Sequence, residues 1–467
     1  MSRQNRPRKR TAAWRRRKLW LVSSTGVALD GFDLFSIGVA LALMRMDPSF
    51  ATDSFGVSAA AVVGAAVAGA IIGAGVSGPL IDRFGRIHAL IGSASFLLIF
   101  CIASALAGSL LQLIIFRALM GVGIGAMYPV SATIVAETSK RGQRGRQVGS
   151  TIAFQAVGMV LGAIGSLVVL SVVEPTSAWR WVLALGAPPA LAMIIIAPSL
   201  TPSPRWLAAK GRVEEAREAA RKLGLHFKPE KQVPALENRF RFLELFTRKN
   251  ARKTVLACIP WALMDIATYG VGIFTPVILL QESAREASHI AKGANSVAHM
   301  IANERSMLEA TTVLDLLLLI GFVIGITLVD KVGRIRLQTL GFVGMAVGLG
   351  ILAFAGTGEN SIVALVFVGF AVFNLSMNAG PNTTTYILPA EVFPTHLRAT
   401  GHGFAAACAK SGALAGTIAL PILIEHLGLT IGLGIVMLCC LLGAVVTLLA
   451  RIETTKISLE KVDTRVH

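Results

Sequence analysis

Charged residues are scarce in this 467-residue chain. Asp, Glu, Lys and Arg together make up 15% of it, whereas 54% of the residues are hydrophobic. A soluble domain of ordinary composition carries about 25% charged residues. The shortage of charge therefore argues against a typical soluble enzyme or binding domain and predicts a protein that resides in a membrane.

Cysteine is scarce too, and its five residues all fall inside apolar runs without paired or metal-like spacing. This pattern argues against a disulfide framework and a zinc site, and small buried hydrophobes are the simplest interpretation. The sequence shows no nucleotide-binding loop and no serine–histidine–aspartate set. We therefore expect neither an enzyme nor an ATP-driven pump, and no metal or other cofactor.

The few charges are mostly basic, with 44 Lys and Arg against 26 Asp and Glu and a net charge of +18. A strongly basic chain could bind nucleic acid. Here, however, the basic residues sit in short clusters between long apolar runs, which is the positive-inside distribution of a membrane protein. The expected partner is therefore the lipid bilayer and not a nucleic acid.

Apolar runs of the length that crosses a bilayer, about 20 residues, predict twelve transmembrane helices. The predicted spans are 19–46, 56–81, 88–110, 113–136, 147–172, 179–199, 253–281, 308–329, 336–356, 361–388, 400–424 and 428–451. Residues 1–18 form a basic arm, residues 200–252 a linker with an amphipathic helix at 213–222, and residues 452–467 a tail. Lys and Arg concentrate in alternate loops, so we expect both termini in the cytoplasm of a prokaryotic cell, with the spans in its plasma (inner) membrane.

A short charged loop and a Glu–Arg pair each recur about 250 residues later, which indicates two related halves, 19–199 and 253–451. The copies are Asp82-Arg-Phe-Gly-Arg86 and Asp330-Lys-Val-Gly-Arg334 for the loop, and Glu137 with Arg144 and Glu391 with Arg398 for the pair. Such ion pairs at helix ends could hold the cytoplasmic side shut in one state and break in another. The predicted gate residues are Asp82, Arg83, Arg86, Arg117, Glu137, Arg144, Asp330, Arg334, Glu391 and Arg398.

Four charges fall near the middle of predicted spans: Asp30, Asp33, Asp265 and Lys410. A charge at this depth is costly, so it normally faces a cavity and serves transport. Asp30 and Asp33 are three residues apart and share one helix face. A carboxylate in a low-dielectric cavity has its charged form disfavoured, which would tie proton uptake to the transport cycle. The alternative is that Lys410 and one aspartate pair only to hold the two halves together.

Polar stripes follow two further spans at intervals of one helical turn. They are Trp261, Asp265 and Tyr269 in the seventh span and Asn374, Asn378 and Asn382 in the tenth. Amides on one face of a membrane helix are expensive unless they line water, a ligand or another polar face. The pair Gly380-Pro381 predicts a local break in the tenth span that frees backbone groups for a ligand.

Several segments resemble a known transporter family over the whole chain. Gly78-Pro-Leu-Ile-Asp-Arg-Phe-Gly-Arg86 resembles the loop between helices 2 and 3 of the major facilitator superfamily, and Ser203-Pro-Arg-Trp206 the segment after helix 6 of its sugar porters. Other segments are similar to the phosphate:proton symporter branch: Asp265-Ile-Ala-Thr-Tyr-Gly270, Gly380-Pro-Asn-Thr-Thr-Thr385, Pro389-Ala-Glu-Val-Phe-Pro-Thr395, and Gly401-His-Gly403 followed by Lys410-Ser-Gly-Ala413. The resemblance implies an all-α fold of twelve transmembrane helices in two pseudo-symmetric six-helix bundles.

The same resemblance implies proton-coupled uptake of inorganic phosphate by alternating access. It assigns proton coupling to Asp30 and Asp33, and it assigns substrate contacts to Tyr128, Gln155, Trp261, Asp265, Tyr269, Asn382 and Lys410. Chemically, Lys410 would supply positive charge to a small tetrahedral anion while the neutral side chains donate hydrogen bonds. Asp265 would accept a hydrogen bond from a protonated phosphate oxygen or be protonated itself.

One departure from the branch lies just before Tyr128, where its members carry an aspartate and this chain has Met127. A methionine carries no proton, so either Asp30 or Asp33 suffices for coupling, or the substrate or stoichiometry has changed. The alternatives are a carrier of a sugar or an aromatic acid anion, and a sensor that binds without transport. A neutral sugar has no need of Lys410. We expect a monomer whose ligands are protons and one small molecule.

Overall fold

The computed structural model describes residues 5–44, 47, 50, 55–140, 142–225, 242–290, 317–355 and 363–459. Over these ranges the regular structure is helical and contains no β-strand. The helices are α1 (Asn5–Met44), α2 (Phe55–Phe84), α3 (Arg86–Ala105), α4 (Leu110–Thr138), α5 (Arg144–Val172), α6 (Pro175–Ala184), α7 (Ala187–Ile196), α8 (Pro204–Ala209), α9 (Val213–Leu223), α10 (Arg248–Ile290), α11 (317–332), α12 (Arg334–Ala355), α13 (Val363–Ala379), α14 (Pro381–Val392), α15 (Arg398–Leu427) and α16 (Leu429–Leu449).

Eleven helical spans within the described ranges are long and apolar enough to cross a membrane. They correspond to eleven of the twelve predicted spans. The remaining prediction, 308–329, overlaps α11, and its first nine residues lie outside the described ranges. An α-helix satisfies its own backbone hydrogen bonds, which is the condition for placing a peptide chain in a bilayer.

Some helices extend beyond the apolar runs that predicted them. Helix α1 begins at Asn5, inside the predicted basic arm, and α10 continues to Ile290, past the predicted end at 281. Arg, Lys, Ala and Glu are good helix formers, so a helix need not end where its apolar run ends. The rest of the predicted loop after α10 lies outside the described ranges.

Two of the spans within the described ranges are interrupted. The tenth is divided into α13 and α14 at Gly380, which confirms the predicted break, because Pro381 has no N–H to continue the helix. The sixth span is divided into α6 and α7 around Leu185 and Gly186. This division was not predicted.

Threonine hydroxyls bind two backbone carbonyls at the break in the tenth span, and backbone groups that are available to a ligand there stay a prediction. The hydroxyl of Thr383 donates to the carbonyl of Asn378 over 2.6 Å, and that of Thr384 donates to the carbonyl of Gly380 over 2.9 Å. Threonine hydroxyls commonly satisfy backbone groups at such breaks in membrane helices.

The chain divides into two compact units. The first contains Met1–Cys258, Tyr386–Lys410 and Ile452–His467, and the second contains Ile259–Thr385 and Ser411–Arg451. The bundle boundaries at 199 and 253 that we inferred from the sequence stay predictions.

Glycines bring helices of the first unit into close contact. A Cβ atom on Gly121 would lie 2.1 Å from the carbonyl oxygen of Ala66, and one on Gly125 would lie 2.0 Å from that of Ala70. Small residues allow such backbone approach between membrane helices. The glycine-rich stretch of α4 therefore packs against α2.

The repeated charged loop has the same backbone conformation in both copies. Gly85 has φ 97° and Gly333 has φ 100°, and a helix begins at the next residue in each case. A positive φ of this size is favourable only for glycine. The internal repeat is therefore structural as well as sequential.

The side chains of the repeated loop also agree. Arg86 pairs with Asp82 at 3.2 Å and donates to the backbone carbonyl five residues earlier. Arg334 pairs with Asp330 at 2.8 Å and makes the same backbone contact. Each arginine therefore closes the turn between two consecutive helices in the same way.

The predicted amphipathic helix of the linker is α9. Its small and apolar residues Ala216, Ala219 and Leu223 are buried, whereas the charged residues between them are exposed. A hydrogen bond from Lys222 lowers the pKa of the Glu218 carboxyl on the exposed face. The helix therefore has one packed face and one solvated face.

Candidate functional site

Four of the predicted site residues meet in the first unit, around one oxygen of Asp30 on α1. The Oδ2 atom of Asp30 accepts hydrogen bonds from the hydroxyl of Tyr128 on α4, at 2.6 Å, and from the side-chain amide of Gln155 on α5, at 2.7 Å. The ammonium of Lys410 on α15 lies 3.8 Å from the same oxygen. We call these four residues the Asp30 cluster.

Two glycines allow the helices of the cluster to meet. A Cβ atom on Gly31 would lie 1.9 Å from the carbonyl oxygen of Gln155, and one on Gly158 would lie 1.8 Å from that of Ala28. The backbones of α1 and α5 therefore touch at the level of Asp30. This contact brings the side chain of Gln155 within reach of the carboxylate.

Lys410 is held between a carboxylate and an aromatic ring. Its Nζ atom lies 4.8 Å from the centre of the Tyr128 ring, which is a cation–π distance. Asp30 and Tyr128 are each 4% exposed and Lys410 is 6% exposed. Such a buried charge needs partners, and here the carboxylate and the ring supply them.

A second ion pair lies one turn further along α1, with a buried arginine and a partly buried aspartate. The guanidinium of Arg117, which is 1% exposed, binds both carboxylate oxygens of Asp33, with 2.9 Å between Nη2 and Oδ2. Arg117 was predicted as a gate residue that partners the charged loop, and this grouping is corrected. Its position on α4 places it beside Asp33 of α1 instead.

A cavity of ≈ 20 Å³ adjoins this pair, which is room for about one water molecule. Its polar lining includes Asp33, Ser36 and Cys101. Ser36 is 1% exposed, and its hydroxyl has no hydrogen-bond partner among the described residues. The carboxylate of Asp33 therefore borders a small space that a proton-carrying water could enter.

An ionic network in the first unit joins predicted gate residues. Glu137 at the end of α4 binds Arg86 through both oxygens, at 2.7 and 3.1 Å, and accepts a bond from Arg398 at 3.0 Å. All three side chains are buried. One carboxylate therefore ties the start of α3 to the start of α15.

Asp82 connects the same two regions by a different contact. Its Oδ2 atom accepts both the backbone N–H and the hydroxyl of Thr400, each over 2.9 Å. The first N–H groups of a helix have no partner within it and favour negative charge. Asp82 of α2 thus caps the N-terminus of α15.

The remaining pair of the network involves the C-terminal segment. Arg144 binds Glu391 at 2.7 Å and donates to the carbonyl of Ile457 over 3.1 Å. The hydroxyl of Thr454 donates to the other oxygen of Glu391. Thr454 was not predicted as a site residue, because a threonine after the last span carries no charge signal.

The segment that resembles sugar porters also contacts the network. The guanidinium of Arg205 donates to the carbonyl of Glu137, and the indole of Trp206 donates to that of Asp82 over 3.1 Å. Ser203 caps α8 by accepting the N–H of Trp206. The resemblance identified this segment, but its contacts were not predictable from it.

Besides Arg117, three predicted gate residues have contacts of a different kind. Arg83 is exposed, with its guanidinium 5.1 Å from the centre of the Phe84 ring. Asp330 and Arg334 belong to the second unit, where they pair with each other. Their role in a gate stays a prediction.

Met127 occupies a packed position in the core of the first unit. It is fully buried, and its sulfur would lie 2.6 Å from a Cβ atom on Gly26. The side chain therefore fills space between α1 and α4.

The other predicted substrate contacts belong to the second unit. Trp261 and Asp265 on α10 are buried, and Tyr269 is half-buried. On the tenth span, the amide of Asn382 donates to the side chain of Asn378 over 2.8 Å. Asn378 in turn donates to a backbone carbonyl. These bonds link the two amides within the tenth span. A substrate contact for Asn382 stays a prediction.

Comparison with known proteins gives a consistent result at the level of sequence. The family model described as "Sugar (and other) transporter" matches residues 19–465. The probable inorganic phosphate transporter 1-12 of Oryza sativa subsp. japonica is 30% identical, over 85% of this chain and 79% of its own length. The inner membrane metabolite transport protein YgcS of Escherichia coli (strain K12) is 31% identical, over 92% of this chain and 90% of its own length.

Solved structures agree on the fold. The major facilitator superfamily proton:xylose symporter XylE, bound to 6-bromo-6-deoxy-D-glucose, matches with a TM-score of 0.77 at 20% identity, covering 97% of this chain and 100% of that chain. The inward open conformation of the xylose transporter XylE from E. coli has a TM-score of 0.64 at 20% identity, covering 95% and 98%. The predicted fold of twelve transmembrane helices in two pseudo-symmetric bundles is thereby confirmed.

Proposed function

We propose, from the premise that the chain belongs to the Sugar (and other) transporter family, that it takes up inorganic phosphate together with protons. Its family and its fold make it an integral membrane transporter. The observation that carries the substrate and coupling is the Asp30 cluster, in which a buried ammonium, a phenol and an amide surround one protonatable carboxylate.

The donors of the cluster suit an anion with several oxygens. A phosphate oxygen accepts hydrogen bonds from hydroxyl, amide and ammonium groups, and those from ammonium are strengthened by charge. Lys410 supplies the one positive charge in this group of four. The name of the rice relative, a probable inorganic phosphate transporter, supports the same choice.

Asp30 and Asp33 are the groups that we assign to proton coupling. Asp30 accepts hydrogen bonds from the Tyr128 hydroxyl and the Gln155 amide, two groups that could donate to an anion. Asp33 pairs with the buried Arg117 beside a small cavity. Met127 is packed against α1 and adds no titratable group. Coupling in this chain therefore runs through α1.

The ionic network is our candidate for the gate of an alternating-access cycle. Its carboxylates join the ends of α2 and α4 to the start of α15 by buried contacts, which exist in one arrangement of the helices and must break for another to form. We place this gate and both termini at the cytoplasmic face of a prokaryotic plasma membrane.

Uptake of radiolabelled phosphate into proteoliposomes tests the function. We expect accumulation when an inward proton gradient is imposed, and we expect it to collapse when a protonophore removes the gradient. Lys410→Ala should abolish uptake, whereas Lys222→Ala, which removes an exposed lysine of α9, should leave it unchanged. No phosphate flux in vesicles that contain folded protein would refute the assignment.

A sugar is the second candidate substrate, because the matching family is described as "Sugar (and other) transporter" and XylE is a proton:xylose symporter. Unlabelled sugars and aromatic acids are added to the same uptake assay as competitors. Under the phosphate proposal they leave phosphate uptake unchanged. Binding of phosphate without flux would instead indicate a sensor.

A further inference from the structure

The Asp30 carboxylate occupies the donors that a transported anion would need. Its Oδ2 atom holds Tyr128 at 2.6 Å and Gln155 at 2.7 Å, with Lys410 at 3.8 Å. We propose that ionised Asp30 is a built-in competitor of the anion, so that a proton must neutralise Asp30 before the anion binds. With phosphate as cargo, this order rests on the proposed function and explains how coupling is enforced.

Tyr128 makes the competition exclusive. A phenol has one O–H and can donate it to one acceptor at a time, whereas an amide has two N–H donors and an ammonium has three. The O–H of Tyr128 is directed at Asp30 over 2.6 Å. An anion cannot receive this hydrogen bond while the ionised carboxylate retains it.

Charge reinforces the exclusion. Asp30, Tyr128 and Lys410 are each at least nine-tenths buried, so little water is present to screen them. Ionised Asp30 already neutralises Lys410, and an arriving anion would add net negative charge to a low-dielectric site. Once Asp30 is neutral, Lys410 and the anion form the balanced pair.

Within the described part of the first unit, side chains from three other helices face Asp30. Lys410 faces it from α15 and Tyr128 from α4, while the side chain from α5 is the neutral Gln155. On its own helix, the nearest acid is Asp33, whose charge is balanced by Arg117. A proton on Asp30 therefore changes the net charge of the cluster directly.

The resulting cycle balances in protons and charge. One proton converts the Asp30 carboxylate to the neutral acid. Tyr128 then donates its O–H to the anion, and Lys410 forms an ion pair with the anion. At the other face the proton leaves, and the ionised carboxylate recaptures the donors and displaces the anion. Binding of proton and anion must then strengthen each other by the same factor.

Equilibrium binding of phosphate to the purified full chain tests this order. Natural protein and Asp30→Asn are compared at several pH values, and phosphate speciation cancels because it is common to both. We expect the affinity of natural protein to fall relative to the variant by up to about tenfold per pH unit as the pH rises. At low pH the two should bind phosphate with similar affinity.

Calorimetry in buffers of different ionisation enthalpy gives a second measurement. Natural protein should take up about one more proton per bound anion than Asp30→Asn does. Asp30→Ala, which removes the competing group entirely, serves if the asparagine variant does not fold. It should also bind phosphate at high pH.

Sulfate and benzoate complete the test, because they separate the two proposals. If sulfate or benzoate binds with a pH dependence that requires Asp30 and phosphate does not bind, competition by Asp30 is supported and the phosphate assignment is refuted. If phosphate binds and the Asp30 variants keep the pH dependence of natural protein, competition by Asp30 is refuted and the phosphate assignment is supported. If no anion binds to any of these proteins, both fall.

Discussion

The carboxylate of Asp82 accepts the backbone N–H of Thr400 over 2.9 Å, so that a residue at the end of α2 caps the first turn of α15. Asp82 also pairs with Arg86. A negative charge at a helix N-terminus is stabilising, and more so when it is partly buried. The contact therefore links two helices that are more than 300 positions apart in the sequence.

Asp82→Asn tests this contact, because asparagine keeps the acceptor oxygen but loses the charge. We expect the free energy of unfolding to fall by about 1–2 kcal/mol. Thermal unfolding of the purified protein is the measurement. Glu218→Gln removes an exposed carboxylate from α9 and should leave the melting temperature unchanged. Equal melting temperatures for all three proteins would show that the charge of Asp82 does not contribute.

Glu137 has a larger predicted effect, since it is the shared acceptor of two buried arginines. Glu137→Gln takes the carboxylate away from Arg398 and leaves Arg86 with Asp82 as its carboxylate partner. Breaking a buried ion pair from one side costs about 3–5 kcal/mol. We expect a correspondingly large decrease in melting temperature.

The control for Glu137 is the exposed pair of Arg212 and Glu215 on the linker, which has similar hydrogen bonds in solvent. Glu215→Gln should produce no measurable shift, because exposed ion pairs contribute little. If the two substitutions shift the melting temperature equally, burial of the network has no energetic consequence.

The membrane spans were predictable because the bilayer imposes a simple requirement. A chain must present about 20 apolar residues to cross it, and the helix must satisfy its own backbone. Gly380-Pro381 likewise predicted the break between α13 and α14, since proline has no N–H to donate to the helix backbone. These features depend on local sequence alone.

Partners across helices were not predictable in the same way. The charge of Arg117 was visible, but only the packing of α4 against α1 shows that it meets Asp33 and not the network. Thr454 carries no signal at all, although its hydroxyl binds Glu391. Asp30 and Lys410 were identified as buried charges, yet their shared contact with Tyr128 and Gln155 required the fold.

The pair of Asp33 and Arg117 gives a prediction about coupling between two charges. Asp33→Asn and Arg117→Gln each leave one buried charge without its partner, and each should lower the melting temperature strongly. The double variant should be more stable than the sum of the single effects indicates, by about 0.5–3 kcal/mol. Additive effects would show that the two side chains do not interact energetically.

Transport by the same variants separates structure from coupling. The double variant lacks the Asp33 carboxylate that we assign to the proton, so gradient-driven accumulation should be lost. Exchange of labelled for unlabelled phosphate needs no net proton transfer and should persist. Accumulation at the natural level would remove Asp33 from the coupling path.

Glycine at position 31 is a requirement of the site that can be tested with a control on the same helix. A Cβ atom at Gly31 would lie 1.9 Å from the carbonyl oxygen of Gln155, whereas one at Gly38 would have no neighbour within 4 Å. Gly31→Ala must push α1 away from α5 and stretch the bond between Asp30 and Gln155. We expect a loss of about 1–3 kcal/mol in stability.

Gly38→Ala makes the same chemical change where there is space, and alanine is the better helix former by about 1 kcal/mol. It should therefore keep or raise the melting temperature and keep phosphate uptake. Gly31→Ala should lower both, and phosphate binding should weaken because one donor of the Asp30 cluster is displaced. If Gly31→Ala instead behaves like Gly38→Ala in both assays, the close approach of α1 and α5 is not what positions the cluster.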